Sequence, residues 1–292
     1  MENRIFIPGS EWVYFKLYTG PKTADAILKN ELYEYVREML RNNVIDKWFF
    51  IRYNDPDFHI RLRIHLKENQ DFTCVFNYFF EIFQPLIGAG LVWNIQCDTY
   101  KREIERYGAG TISIVEDLFF TDSEFVVKLL RQLSEENSEQ HRWKLALVLI
   151  DSCLDAFLLE LPQRKELLNT MSDNFKKEFG FTHHPAKKQL DNKYRTYRKE
   201  IEVAMLWEKE VVETIEIIKA RRQAILPIAE QLIAMEKSGA LQISLTALLT
   251  SIIHMTMVRW FRIKHRLHEL VIYDFLSRYF TSKMAKDSIK NE

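Results

Sequence analysis

Cysteine, glycine and proline are all scarce here, at three, eight and seven residues of 292. Three thiols at scattered positions, Cys74, Cys97 and Cys153, exclude a disulfide-built fold and have no zinc-ligand spacing. They read as buried thiols kept reduced in the cytoplasm. So little glycine and proline leaves no material for long flexible linkers. A net charge is missing too. Lys+Arg and Asp+Glu both total 41, so the global attraction that nonspecific nucleic-acid binding needs is absent and no direct nucleic-acid partner is expected. No apolar run approaches the roughly 20 residues of a membrane span, and the N-terminus lacks the apolar stretch of a signal peptide. There is no glycine-rich phosphate loop and no Gly-x-Ser-x-Gly elbow. The reading is a cytoplasmic protein without membrane span, metal or cofactor.

What the chain does have is apolar and aromatic mass, 47% and 13% of its residues, enough for a large core or two joined subdomains. The most informative stretch is 47–66. Trp48 to Tyr53 is an aromatic, β-branched run, and Asn54-Asp55-Pro56-Asp57 is a turn. From His59 the residues alternate with a strand's period of two. Ile60, Leu62, Ile64 and Leu66 point one way; His59, Arg61, Arg63 and His65 point the other. The spacing predicts a hairpin strand with an apolar back and a row of cations in front. Guanidinium groups on so rigid a mount suit anion recognition, although a merely solvated sheet face has the same pattern.

Trp12 to Tyr18 alternates as a strand. Ala24 to Asn43 has helical periodicity, as does Phe72 to Ile87, and Leu91 to Tyr100 returns to strand character. Beyond about residue 115, helical periods run over Glu116–Leu133, Arg142–Leu161, Lys188–Glu236 and Leu241–Phe280. Turns are expected at Ser134–Ser138, Leu161-Pro162, Gly180–Pro185 and Lys237–Gly239, with Pro227 starting or kinking a helix. The fold class is α+β: an N-terminal, mostly antiparallel sheet with covering helices over about 9–115, then a C-terminal helical half over about 116–285, read as one domain.

Two further stretches are candidates for chemistry. Tyr100 to Gly110 places Arg102, Arg106, Tyr107 and two glycines at a strand end, which fits a site loop or a salt-bridged turn. Ser251, His254, Met255 and Val258 share a helix face, where a lone histidine is a core residue or a proton carrier. His183-His184 lacks a third ligand, and His265 and His268 read as solvated.

Four motifs in order are more specific than any one of them: Trp12–Gly20 followed by Ala24-Asp25-x-Ile-Leu28; Trp48-Phe-Phe-Ile-Arg-Tyr-x-Asp-Pro-x-x-His-Ile-Arg-Leu-Arg63; Tyr100-x-Arg-Glu-x-Glu-Arg-Tyr-Gly108; and Ser251-Ile-Ile-His-Met255. Together they resemble the C-terminal elimination domain of class I lantibiotic dehydratases, also called the thiopeptide-type bacteriocin biosynthesis domain, over about residues 10–285. The fourth motif departs: the family usually has Asn-Arg-Leu after the histidine, whereas here the residues are Val258-Arg259-Trp260.

The resemblance implies a lyase that removes glutamate from glutamylated Ser or Thr of a ribosomally made precursor peptide, leaving dehydroalanine or dehydrobutyrine. A chain of this length suggests the freestanding form, partnered by a separate glutamyl-tRNA-dependent glutamylating subunit, with a cyclase as a further partner. Arg61, Arg63 and Arg106 would grip the glutamyl group and offset developing negative charge. His254 would carry the proton, as acid or as base. Arg102, which substitutes for Arg106 if the loop register differs, and with it His59 and Tyr107, would bind substrate. The same resemblance leaves two alternatives: a pyridine-forming cyclase of thiopeptide pathways, and a non-catalytic subunit that presents peptide.

Overall fold

The structure is a computed structural model and describes residues 3–68, 71–133, 138–206 and 212–290. It divides into two compact units, Met1–Gln132 with Met235–Ser244, and Leu133–Ala234 with Leu245–Glu292. The fold class is α+β, as expected.

In the first unit Ile5–Phe6 (β1) precedes Trp12–Thr19 (β2), and Ile45–Asn54 (β3) and Phe58–Leu66 (β4) form the expected hairpin. Strands β2 to β4 and Val92–Cys97 (β5) build one antiparallel sheet in the order β3-β4-β2-β5. Register puts Tyr14 opposite Arg63 and Lys16 opposite Arg61 on one face, with Val13, Leu17, Ile60, Leu62 and Ile64 fully buried on the other. Three helices accompany the sheet: Pro21–Lys29 (α1), Glu31–Arg41 (α2) and Phe72–Gly88 (α3). The buried face meets α3 where Phe15 stacks on Phe79 at 3.9 Å. It meets α1 through a buried ion pair, Arg52 Nη2 to Asp25 Oδ1 at 2.6 Å.

Two expected elements divide. The helical period over 24–43 breaks at Asn30, whose backbone leaves the helical region (φ −115°, ψ −88°); asparagine competes with the helix through local hydrogen bonds. The strand expected over 91–100 stops at Asp98, whose side chain accepts from the Thr99 N–H at 2.7 Å. Tyr100–Lys101 (β6) then pairs with β1 as a separate ribbon. A four-residue helix, Ile104–Tyr107 (α4), leads into Ile112–Gln132 (α5). Most of α5 was expected in the helical half, but it belongs to the sheet's unit. Along β3 it contacts residues of both sheet faces: Trp48 donates to Glu124 at 2.7 Å, and the rings of Phe49 and Phe119 lie 5.5 Å apart. The Phe50 N–H donates to Ser123 Oγ, so α5 caps an edge strand that would otherwise present open backbone.

The second unit contains Ser138–Ala156 (α6), Leu161–Glu178 (α7), His184–Ala204 (α8), most of Val212–Lys237 (α9), Leu245–Trp260 (α10) and His265–Lys290 (α11). Leu161-Pro162 is a helix start rather than a turn. Proline sits in the first turn of α7, and Glu160 and Gln163 form a reciprocal capping box. The long period over 188–236 resolves into α8 and α9, and Pro227 lies inside α9. The turn expected at Ser134–Ser138 falls mostly outside the described residues. Arg278 and Lys176 both pair with the fully buried Asp274 at 2.8 Å, joining α7 to α11. The thiols differ from expectation. Cys153 is buried, but Cys74 and Cys97 are exposed, on the outer side of α3 and on the edge strand β5. No helix among the described residues is long and apolar enough to cross a membrane.

Candidate active site

The alternation of β4 puts Arg61 and Arg63 on one face, separated by roughly 6.5–7 Å of strand. Each guanidinium is held by aromatic faces. Arg61 lies 3.4 Å over the Tyr53 ring. Arg63 sits among three rings, Tyr14 at 4.6 Å, Tyr100 at 4.9 Å and Phe49 at 5.3 Å. Cation–π contact orients a guanidinium without consuming its hydrogen-bond donors. No carboxylate pairs with either arginine among the described residues, and the buried Nε of Arg63 has no hydrogen-bond partner among them. The contrast with neighbours is sharp, because Lys16 pairs with Asp98 at 2.5 Å and Arg52 with Asp25. The Lys16 hydrogen bond holds the Asp98 carboxyl below its ordinary value. Burial raises the Tyr14 hydroxyl, against the pull of Arg63, Arg61 and Lys16.

His59 does not join the exposed row. It is fully buried between the Tyr18 and Tyr53 rings, 4.7 and 5.6 Å away. Its Nδ1 faces the Asp57 carbonyl at 2.8 Å, and its Nε2 faces the Arg61 Nε–H at 3.1 Å. A carbonyl only accepts and a guanidinium only donates, so the imidazole is neutral with its proton on Nδ1. Burial and then the neighbouring Arg61 and Lys16 hold its pKa below the usual histidine value, despite the Asp57 hydrogen bond. The expected ligand contact from His59 thus gives way to a support for Arg61.

The third motif is more structural than its sequence suggests. Arg102 grips Glu116 of α5 with both arms, at 2.7 and 2.5 Å, and Tyr100 donates to the same carboxylate at 2.7 Å. That fork ties β6 to α5, so the expected substrate contact is replaced by a brace. Tyr107 is buried edge-on against Phe119 at 5.4 Å. Arg106 is partly exposed, with Nη1 3.5 Å from Glu103. Gly108 has φ +80°, and a Cβ there would meet Thr111 Oγ1 at 2.7 Å. Glycine is required on both counts.

The histidine of the fourth motif belongs to the second unit. His254 of α10 is one-fifth exposed, and its Nδ1 lies 2.7 Å from Oε1 of the fully buried Glu269 on α11. Tyr273, one turn further along α11, donates to the same oxygen at 2.7 Å. The His265 ring is 5.8 Å from that of His254. His265 and His268 are half-buried rather than solvated, and burial holds both below the ordinary histidine range; His268 stacks on Phe261 at 4.1 Å. Among the described residues no cluster of three or more His, Cys, Asp or Glu could hold a metal.

Comparison with known proteins places this arrangement. A family profile described as Lantibiotic biosynthesis dehydratase C-term matches residues 12–280. The chain belongs to that family. Among curated relatives, the nisin biosynthesis protein NisB of Lactococcus lactis subsp. lactis is 30% identical over 145 residues, covering 49% of this chain and 14% of NisB. The subtilin biosynthesis protein SpaB of Bacillus subtilis is 27% identical over 180 residues, covering 61% of this chain and 17% of SpaB. The chain therefore matches only about a sixth of the length of these relatives. Among solved structures, the tRNA-dependent lantibiotic dehydratase MibB from Microbispora sp. 107891 superposes with a TM-score of 0.73 at 19% identity, over 94% of this chain and 29% of MibB. The pyridine synthase TbtD from thiomuracin biosynthesis gives 0.65 at 12% identity, over 93% and 99% of the two chains. At these identities the likeness is one of fold.

Within this family frame, the arginine pair on β4 was legible from alternation, and the histidine of α10 from its motif. Two sets of residues were not. The aromatic faces around Arg63 come from β2, β3 and β6, and only sheet register brings them together. Glu269 and Tyr273 lie on α11, beyond a break after Trp260 that divides the single helical period expected over Leu241–Phe280, and only the packing of α11 on α10 brings them to His254.

Proposed function

We propose that the protein removes glutamate by β-elimination from glutamylated Ser or Thr residues of a ribosomally made lantibiotic-type precursor peptide, with the ester supplied by a glutamylating dehydratase partner. The observation that carries this reading is the pair of ring-held guanidinium groups on β4, which have no carboxylate of their own among the described residues. A planar fork matches a carboxylate, and an oriented, unpaired one is ready to accept it. The glutamyl group of the substrate supplies that anion.

In this reading a base takes the Cα proton of the esterified residue, and its electron pair forms the Cα–Cβ double bond. The Cβ–O bond breaks and glutamate leaves as a carboxylate. Arg61 and Arg63 hold the glutamyl group and offset charge on the departing oxygen. His254 carries the proton, and Arg106 is a further cation of the same reaction. By comparison with the loss of one preorganised oxyanion donor, each β4 arginine supplies about 2.7–4 kcal/mol of transition-state stabilisation. The family match and the lantibiotic relatives support this reading.

The test is to incubate the protein with a precursor peptide already glutamylated on Ser or Thr and follow its mass. Loss of glutamate with formation of a dehydro residue is expected. An intact ester on a peptide that demonstrably binds would favour a presenting subunit. A macrocycle from a fully dehydrated peptide would favour a cyclase. Arg61→Ala and Arg63→Ala should keep the fold and lower the elimination rate about 10²–10³-fold; normal turnover in both would remove the anion site.

A further inference from the structure

The geometry points to Glu269 as the positioning residue that fixes which nitrogen of His254 is available for proton transfer, with Tyr273 holding Glu269 in place. This deepens the elimination reading and rests on it for the proton's destination, but the tautomer stands on the structure alone.

His254 Nδ1 is 2.7 Å from Glu269 Oε1, and the Tyr273 hydroxyl donates to that oxygen from one turn away on the same helix, also at 2.7 Å. Glu269 and Tyr273 are both fully buried. Oε1 already accepts from Tyr273, and an ionised carboxylate only accepts, so Glu269 has no proton to give to the imidazole. His254 must then carry its proton on Nδ1, which leaves the lone pair on Nε2. The ring is one-fifth exposed while its partner is sealed, so the approachable side of the imidazole is the side away from Glu269. A histidine in this state is a base on arrival of substrate: Nε2 takes a proton, and the resulting imidazolium is stabilised by the buried negative charge behind it.

Among the described residues His265 and Arg266 also act on this cluster. Burial keeps His265 below the normal histidine range, so it adds little competing positive charge at neutral pH. On this inference His254, whose role the sequence leaves open between acid and base, acts as the base. Taking the Cα proton leaves imidazolium and the departing glutamate carboxylate, so charge balances without any other reactant.

The experiment reads the tautomer and the rate separately. In ¹⁵N-histidine-labelled protein near pH 8, with the His254 signals identified by their loss in His254→Gln, the wild type should show the Nδ1–H tautomer. In Glu269→Gln the amide can donate to Nδ1, and the tautomer should switch to Nε2–H. On glutamylated peptide that variant should lose about 10²–10⁴-fold in kcat, the upper figure being the loss when a serine protease's histidine is held in the wrong tautomer, with KM nearly unchanged. An Nε2–H tautomer in the wild type, or full kcat in a folded Glu269→Gln, would overturn the proposal. If that variant does not fold, the wild-type tautomer still decides. Absence of elimination by wild-type protein in the Nδ1–H form would instead sink the lyase reading and leave the positioning intact.

Discussion

Asp25 and Arg52 form the most buried ion pair of the first unit, each nearly sealed from solvent. Two charges taken out of water repay their desolvation only while both remain. Asp25→Ala should therefore cost about 3–5 kcal/mol, read as a lower urea midpoint, because it removes the carboxylate that faces a buried guanidinium. Arg102→Ala should likewise weaken the fold without a selective loss of affinity for glutamylated peptide, since its fork is engaged by Glu116. A selective affinity loss at unchanged stability would return Arg102 to the binding site. At this scale the sequence could be read for side-chain direction but not for company. Alternation alone put Arg61 and Arg63 on one face. That His59 is sealed by Tyr18 and Tyr53, whereas Arg63 keeps its donors unspent, depends largely on strands distant in the chain, Tyr18 and Tyr14 from β2 and Tyr100 from β6.

Strong periodicity made the strands and most helices readable, while their ends depended on local chemistry. Asn30 and Asp98 ended elements by capturing backbone groups or leaving the helical region, and Glu160-Leu-Pro-Gln163 began a helix where proline suggested a turn. Glutamate as an N-cap is an uncommon signal, which hid α7. The turn after α4 is a harder constraint. Gly108→Ala should cost about 1–3 kcal/mol for a side chain at positive φ, seen as a drop in Tm, because the added methyl also presses on Thr111. A Tm equal to that of the wild type would mean that the turn has room to relax.

Across the whole molecule, His59, His265 and His268 all sit below the ordinary histidine value through burial. A histidine kept neutral when folded takes up its proton more readily when unfolded. Stability is then fully present above the unfolded value of about 6.5 and falls as pH drops through the folded values. Thermal melts should show Tm declining from about pH 6.5 downward, before the stability contributed by the carboxylates Asp98 and Asp155, held low by Lys16 and by Arg164 and Arg222, begins to fall near the unfolded carboxylate value of about 3.9. His59→Gln should flatten the upper part of that decline. A slope that begins only near pH 4 would show that the buried imidazoles contribute little.

The path of the backbone carries one more consequence. Residues 235–244 belong with the sheet although α6 to α8 and most of α9 intervene, and Gln242 accepts the Ala109 N–H at 2.6 Å. A stop codon after Gln132 would therefore leave that amide without its acceptor and the sheet unit short of ten residues. Neither unit exists as one uninterrupted stretch of gene, so obtaining either by itself calls for rejoined ends, with 235–244 grafted onto the first and a new splice bridging 234 and 245 in the second.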